Sequence, residues 1–360
     1  MKVLRTYYIF LFSTVVISQE KEAIKYEDLY ERNGLIYASD QDSSFNGTVD
    51  ENWPTGINKL SYTYKNGKPD SKWSDWFNNG QPKEEVEYSD GIKNGLHKQW
   101  YKNGQQKFER TYKNGIHDGK WTEWYENGQS MVEGNFLDGK PDGTWIYWYP
   151  NGQKREEGNP VSSDTSSLAF LNDGIWNYWH PNGQLKETGS YISGEKDGQW
   201  FEWHDNGQIR LKETYKTNKR NGKWLSWFYN GQSEIEGDYI NDKKSGKWIT
   251  WYPWGWRSYE INGGNNESSF ILWFDDQQRL SEGFYRNNVK DGTWVWWSRE
   301  GILDSSGVFN RGIRSGKWTF RDPEVNKQLE GRYRDGMLSD LITVAIDSPA
   351  AAGAGTQAKL

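Results

Sequence analysis

The triplet Asn-Gly-Gln returns through this chain every 24 residues, beginning at Asn79, Asn103, Asn127 and Asn151. After one step of 31 residues it resumes at Asn182, Asn206 and Asn230. Three residues before each Asn stands a Trp (Trp76, Trp100, Trp124, Trp148, Trp179, Trp203 and Trp227), and Trp251, Trp273 and Trp297 extend the row. A second row lies three residues earlier: Trp73, Trp121, Trp145, Trp176, Trp200, Trp224, Trp248, Trp294 and Trp318. These rows hold 19 of the 23 tryptophans, so whatever core the chain builds must be assembled from repeated indoles. A short period of this kind means stacked copies of one supersecondary unit, each too small to bury its apolar face alone.

One unit runs from Glu133 to Gly152, with Asp138-Gly139 at its first turn and Asn151-Gly152 at its second. Asn-Gly and Asp-Gly flanked by aromatic runs are strong hairpin signals, because both turn residues tolerate positive φ. Each unit is therefore strand, turn, strand, turn. The expected fold is all-β: an elongated single meander of about eleven tandem antiparallel hairpins of about 24 residues each. Two strands per unit add roughly 10 Å of sheet per repeat. Mean hydropathy is -1.02, which alone suits a disordered chain, but 16% aromatic residues argue for a thin layer of buried rings between polar edges.

The organisation that follows is a signal peptide over 1–18, an N-terminal cap with a degenerate first repeat over 19–60, and the array over 61–340. A serine-rich insertion interrupts the array near 159–171, and an irregular unit spans 253–274, where Trp254-Gly255-Trp256 replaces Asn-Gly-Gln. Residues 341–360 form a tail of small residues with no periodicity, expected to be disordered.

Strand alternation divides the side chains between two faces. The Trp124, Trp148 and Trp203 row shares a face with Ile146, Phe201, Leu225, Ile249, Ile271 and Val295, and its aliphatic character marks that face as the buried one. The opposite face carries Trp121, Trp145, Trp200 and Trp224, with Tyr125, Tyr149 and the acids Asp75, Glu123 and Glu202. That face is expected to be a half-exposed aromatic and acidic ladder, the type of surface through which repeat proteins bind partners. Trp254 and Trp256 join it as candidates, since rings at a turn are expected to be exposed and to stack on a sugar or a protein.

The units resemble MORN repeats, in the bacterial variant of YwqK-family antitoxins. The resemblance rests on Glu133-Gly134-x-Phe136-x-x-Gly139-Lys140-x-x-Gly143-x-Trp145 and on Trp124-Tyr125-x-Asn127-Gly128-Gln129. Asp28 to Leu35 and Phe45-Asn46-Gly47 look like the usual lead-in, and the likeness covers about residues 28 to 340. It implies an elongated hairpin scaffold that engages proteins, and in some members membranes.

Lys2 and Arg5, the apolar run Tyr7 to Ile17 and the step Val16-Ile17-Ser18 before Gln19 have the layout of a secretory signal, so export is expected. The run is shorter than the about 20 residues of a membrane span, and no integral membrane segment is expected after signal removal. A net charge of -6 disfavours nucleic acid and anionic lipid as partners. No cysteine is present, which excludes disulfides and thiolate chemistry. His180 and His204 follow the repeat Trp in adjacent units and are expected to replace Tyr, His97 takes a Trp position, and His117 lies in a turn. No metal, cofactor or catalytic residue is indicated. The sequence therefore points to a non-enzymatic exported scaffold that binds a protein partner at the cell envelope or outside the cell. The alternatives are an antitoxin or immunity protein that neutralises a toxin, and a carbohydrate-binding surface protein using Trp254 and Trp256.

Overall fold

A computed structural model of the chain describes residues 24–344, apart from 40, 163–169, 265, 323 and 325–326. The expected signal segment 1–18, most of the serine insertion and the end of the tail lie outside the described residues. Those described divide into two compact units, with the boundary between residues 118 and 119.

The first unit opens with a 3-10 turn over Tyr26–Asp28 and a separate hairpin, Leu29–Arg32 with Leu35–Ala38. A meander follows through Gly47–Asn52, Asn58–Lys65, Ser71–Trp76, Pro82–Ser89, Ile92–Trp100 and Gln106–Lys113, each strand antiparallel to the last. The hairpin covers the start of that sheet. Ala38, Phe45, Val49 and Tyr64 are buried together, and the Gly67 turn is tied in by its carbonyl, which accepts the Ile36 N–H at 2.8 Å, and by its N–H, which donates to the Phe45 carbonyl at 2.8 Å.

The second unit continues the same pattern. Its strands pair in sequence order from Ile116–Trp124 with Ser130–Leu137 to Lys327–Arg334 with Met337–Val344. The insertion lengthens one hairpin: Lys154–Ser162 and Phe170–Trp179 stay paired as far as Ser162↔Phe170. The final strand runs four residues past the expected end of the array.

The core of this second unit is a motif used repeatedly. Trp145 lies over Gly134 of the preceding strand, Trp176 over Gly158, Trp200 over Gly189, Trp248 over Gly237, Trp294 over Gly283 and Trp318 over Gly307. In every case a Cβ on the glycine would sit well under 3.0 Å from the indole. Only Gly lets the ring rest on the neighbouring backbone. Two residues after most of these glycines an aromatic ring meets the same Trp edge-on, as in Phe136–Trp145 at 5.1 Å and 88°, and Tyr285–Trp294 at 5.1 Å and 85°. Such T-shaped pairs add about 0.5–1.5 kcal/mol beyond the area they bury. The indole N–H is also satisfied at most steps: Trp145 Nε1 donates to the Asn135 carbonyl at 3.2 Å, and Trp294 Nε1 to the Phe284 carbonyl at 3.0 Å. The strand register shifts opposite these glycines: Glu133↔Ile146 gives way to Asn135↔Asp142, and Glu282↔Val295 to Phe284↔Asp291, so the Trp-bearing strand bulges over the glycine.

This reverses the faces expected from the sequence. The earlier Trp row is the core: Trp145, Trp176, Trp200, Trp248, Trp294 and Trp318 are each no more than 3% exposed. Trp124, Trp148 and Trp203 are only half-buried, as are Ile146, Phe201, Leu225, Ile271 and Val295, and of that set Ile249 alone is buried. Aliphatic content misled because it counts side chains and overlooks where a side chain is missing. The glycine opposite each early Trp supplies the cavity.

Where the glycine is absent, the motif changes in step. Glu213 stands at that position before Trp224, which is half-buried. Ile261 pairs with Phe270 in the shortened unit, and there the register is regular with no bulge. In the first unit Tyr62 takes the glycine position and stacks on Trp73 at 4.3 Å.

Gly189→Ala is expected to lower the unfolding free energy by about 1–3 kcal/mol through overpacking against Trp200. Gly264→Ala, with open space around it and no positive φ, is expected to be near neutral. Urea titration of the two variants checks this, and equal midpoints would refute the ring-on-glycine core.

Candidate functional site

The turns at the two edges of the sheet bind neighbouring repeats to one another. At the Asn-Gly-Gln edge, Asn127 Oδ1 accepts the Gln129 backbone N–H at 3.0 Å, while Asn127 Nδ2 donates to the Pro150 carbonyl of the next turn at 2.8 Å. Asn79, Asn151, Asn182, Asn206 and Asn230 repeat both contacts. The Gln side chain lies against the Gly of the following turn, as Gln129 does at Gly152. The Asn-Gly-Gln triplet thus encodes a rung of the ladder as well as a turn.

Tyr125 and Tyr149, expected in the binding face, belong to this ladder. Tyr125 Oη donates to the Trp148 carbonyl at 2.8 Å and Tyr149 Oη to the Trp179 carbonyl at 2.9 Å. His180 Nε2 and His204 Nε2 make the same contact to the Trp203 and Trp227 carbonyls, at 2.9 and 3.0 Å. Imidazole therefore does the work of a phenol, with its Nε2–H as donor. Trp53 plays the part in the first unit, reaching the Trp76 carbonyl at 3.3 Å.

Of the remaining candidates, Trp145 and Trp200 are core residues, sealed by the glycine contact, and offer no surface to a partner. Trp121 is half-buried against Phe136 and Trp145, and Trp224 against Trp248 and Tyr239. Trp254 and Trp256 are exposed, at 53% and 39%. The turn that carries them is otherwise unchanged: Tyr252 N–H bonds to the Trp256 carbonyl at 2.7 Å, as Tyr125 N–H does to Gln129 at 2.8 Å. Trp254 stands in for the ladder Asn, donating Nε1 to the Asp275 carbonyl at 3.0 Å and stacking on Tyr252 at 5.0 Å. Trp256 stands in for the Gln, and the Gly it would cover is replaced by Gln277. A cavity of about 380 Å³ opens there, lined by Trp251, Gly255, Trp256, Arg257, Trp273 and Gln277. A second cavity, of about 400 Å³ in the first unit, is walled by Trp53, Trp76 and Phe77 with Lys59, Lys83 and Lys102.

A buried polar cluster, also in the first unit, occupies the place of a missing indole. His97, at a Trp position, is buried with Nε2 2.7 Å from Glu84 Oε1 and Nδ1 3.3 Å from Lys93 Nζ. The hydrogen bond from His97 holds the Glu84 carboxyl below its ordinary value. His117, packed on Tyr112 at 4.4 Å, is pushed below 6.5 by burial, and then by Arg110, Lys93 and His97. A folded state that keeps His117 neutral loses stability as pH falls below about 6.5, where the unfolded chain takes up the proton first. The Glu84 contribution persists above about 4.5 and is lost as pH falls through its lowered folded value. Between pH 7 and 5 the wild-type urea midpoint is expected to fall relative to that of His117→Phe, and a constant difference between them would contradict this.

Among the described residues no helix is long and apolar enough to cross a membrane, a statement that does not extend to strands. No curated protein matches the chain. Among solved structures it is similar at 10% identity and a TM-score of 0.17 to a crystal structure of TcdB2-TccC3, over 81% of this chain and 18% of that one. The chain thus spans less than a fifth of that protein's length. It is also similar, at 10% identity and a TM-score of 0.19, to a crystal structure of the eukaryotic initiation factor, over 88% of this chain and 94% of that one. At these scores neither likeness bears on function. The MORN repeat variant matches six times, at residues 69–90, 93–114, 118–138, 141–159, 172–193 and 196–217. Between residues 69 and 217 the chain therefore carries six MORN repeats of this variant.

Proposed function

We propose that this protein is an exported, non-enzymatic repeat scaffold that binds a protein partner at the cell envelope or outside the cell. The observation that carries this proposal is a row of exposed aliphatic side chains beside the tight turns of the second unit. Leu137, Ile192, Ile240, Ile313 and Met337 flank five of the turns on the edge opposite the Asn-Gly-Gln ladder, and each is more than half exposed. One exposed aliphatic residue is ordinary, but five of them beside turns of one edge mark an interaction surface. Polar or charged residues pair with them across the turns, Lys140 with Leu137 and Lys243 with Ile240 among them. A partner for this edge would present apolar pockets with acidic rims.

Export is supported by the basic, apolar and small-residue order of the first 18 residues. The test is a photo-crosslinking residue placed at Ile240 in the full chain in its native cells, followed by fractionation and N-terminal sequencing. A discrete protein adduct in the envelope or the medium, on a chain that begins at Gln19, is the expected result. Absence of an adduct would contradict the partner-binding edge, and a cytosolic chain beginning at Met1 would contradict export. Replacing Ile192, Ile240 and Ile313 with Ser is expected to abolish the adduct, with the crosslinker moved to Val289, and to change stability by less than about 0.5 kcal/mol, as surface substitutions do.

A further inference from the structure

We infer that the cavity at the broken repeat is a binding site for a neutral sugar ring of a glycan. The site exists because three ladder residues were exchanged together: Trp254 for Asn, Trp256 for Gln, and Gln277 for the Gly that the Gln would cover. The exchange preserves the turn and its rung, since the Tyr252 and Trp254 hydrogen bonds match those of intact repeats. The broken repeat keeps its turn and adds an opening in the ladder, with Trp256 39% exposed at its mouth, while Gln277 takes the positive φ (71°) of the Gly it replaces. Its volume, about 380 Å³, is at the small end of ligand sites, which run about 300–1,000 Å³.

The lining selects the ligand. Three indoles, Trp251, Trp256 and Trp273, offer flat apolar surface whose electron-rich faces attract the C–H edges of a pyranose. Gln277 and Arg257 supply amide and guanidinium donors, and Gln277 a carbonyl acceptor, for hydroxyls around the ring. A cationic ligand is disfavoured, because Arg257 is part of the wall. An anionic one is disfavoured by the carboxylates of Asp275 and Asp276, the two residues before Gln277, which lie 2.6 and 3.6 Å from Arg299. Arg257 is itself partly balanced by Glu260, at 3.5 Å. What remains is an uncharged ligand with one apolar face and a hydroxylated rim.

This site is separate from the aliphatic edge and stands or falls on its own experiment. The full chain is titrated with neutral oligosaccharides of glucose, mannose, galactose and N-acetylglucosamine, and binding is read by calorimetry and by tryptophan fluorescence. Saturable binding of at least one of them is expected, with a change in emission. The variant Trp256→Gln with Gln277→Gly restores the repeat pattern and so is expected to fold at least as well as wild type, yet to bind at least tenfold more weakly. No binding by the wild type to any of the four would overturn the inference, as would binding unchanged in that variant. Loss of a protein adduct in the variant, with no sugar bound by the wild type, would also overturn it, and would assign the pocket to a protein side chain.

Discussion

An indole laid on a glycine of the next strand is the contact on which the second unit depends. A sheet of short polar strands has few aliphatic side chains to bury, and Trp supplies more apolar area per residue than any alternative. Its size is also the difficulty, because a flat ring as large as indole cannot lie directly on the backbone of a neighbouring strand that carries a side chain beneath it. Removing that side chain at Gly134, Gly158, Gly189, Gly237, Gly283 and Gly307 solves the packing, and a bulge in the facing strand, just before the Trp, lays the ring on it. The Phe or Tyr two positions on then closes the open edge of the indole at most steps. Each repeat thereby acquires a small core of three residues that needs nothing beyond its immediate neighbour.

The edges follow from the same economy. A core of single stacked rings leaves each hairpin free to tilt unless its ends are tied. Ties are made by side chains that serve two turns at once: Asn closes its own turn with Oδ1 and reaches the next with Nδ2, and Tyr or His bonds a carbonyl one repeat on. The opposite edge uses the residue before the Gly that stands two positions ahead of the buried Trp, where Asp173, Asp197 and Asp291 accept the backbone N–H of Ser193, Thr217 and Arg311. Function is then free to occupy whatever these ties do not use. The exposed aliphatic residues beside the tight turns and the cavity at Trp256 are such places.

Much of this was legible in the sequence. The 24-residue spacing, the turn pairs and the two Trp rows define the hairpin meander, and His180 and His204 could be placed as Tyr equivalents by position alone. Alternation separates two faces but does not say which one is buried, and the aliphatic residues beside the later Trp row pointed to the wrong one. The decisive signal was nonetheless present. Gly134, eleven residues before Trp145, recurs as Gly189 before Trp200, Gly237 before Trp248, Gly283 before Trp294 and Gly307 before Trp318. Reading that pair as one packing unit identifies the buried Trp row. Trp254 was half legible: its exposure followed from its place in a turn, but its role as a substitute rung depends on an Nε1–carbonyl distance that only the fold supplies. The exposed aliphatic row went unnoticed because Leu137, Ile192 and Met337 occupy different sides of their turns in sequence and line up only on the folded edge.

Hydroxyl-radical footprinting of the intact chain, read tryptophan by tryptophan, tests the central claim most directly. The account predicts that Trp145, Trp200, Trp294 and Trp318 resist oxidation while Trp254 and Trp256 react rapidly and the Trp124, Trp148 and Trp203 row falls between them. Oxidation of Trp200 and Trp294 as fast as Trp254 would mean that these indoles are not seated on their glycines, and would contradict both the core and the face assignment built on it.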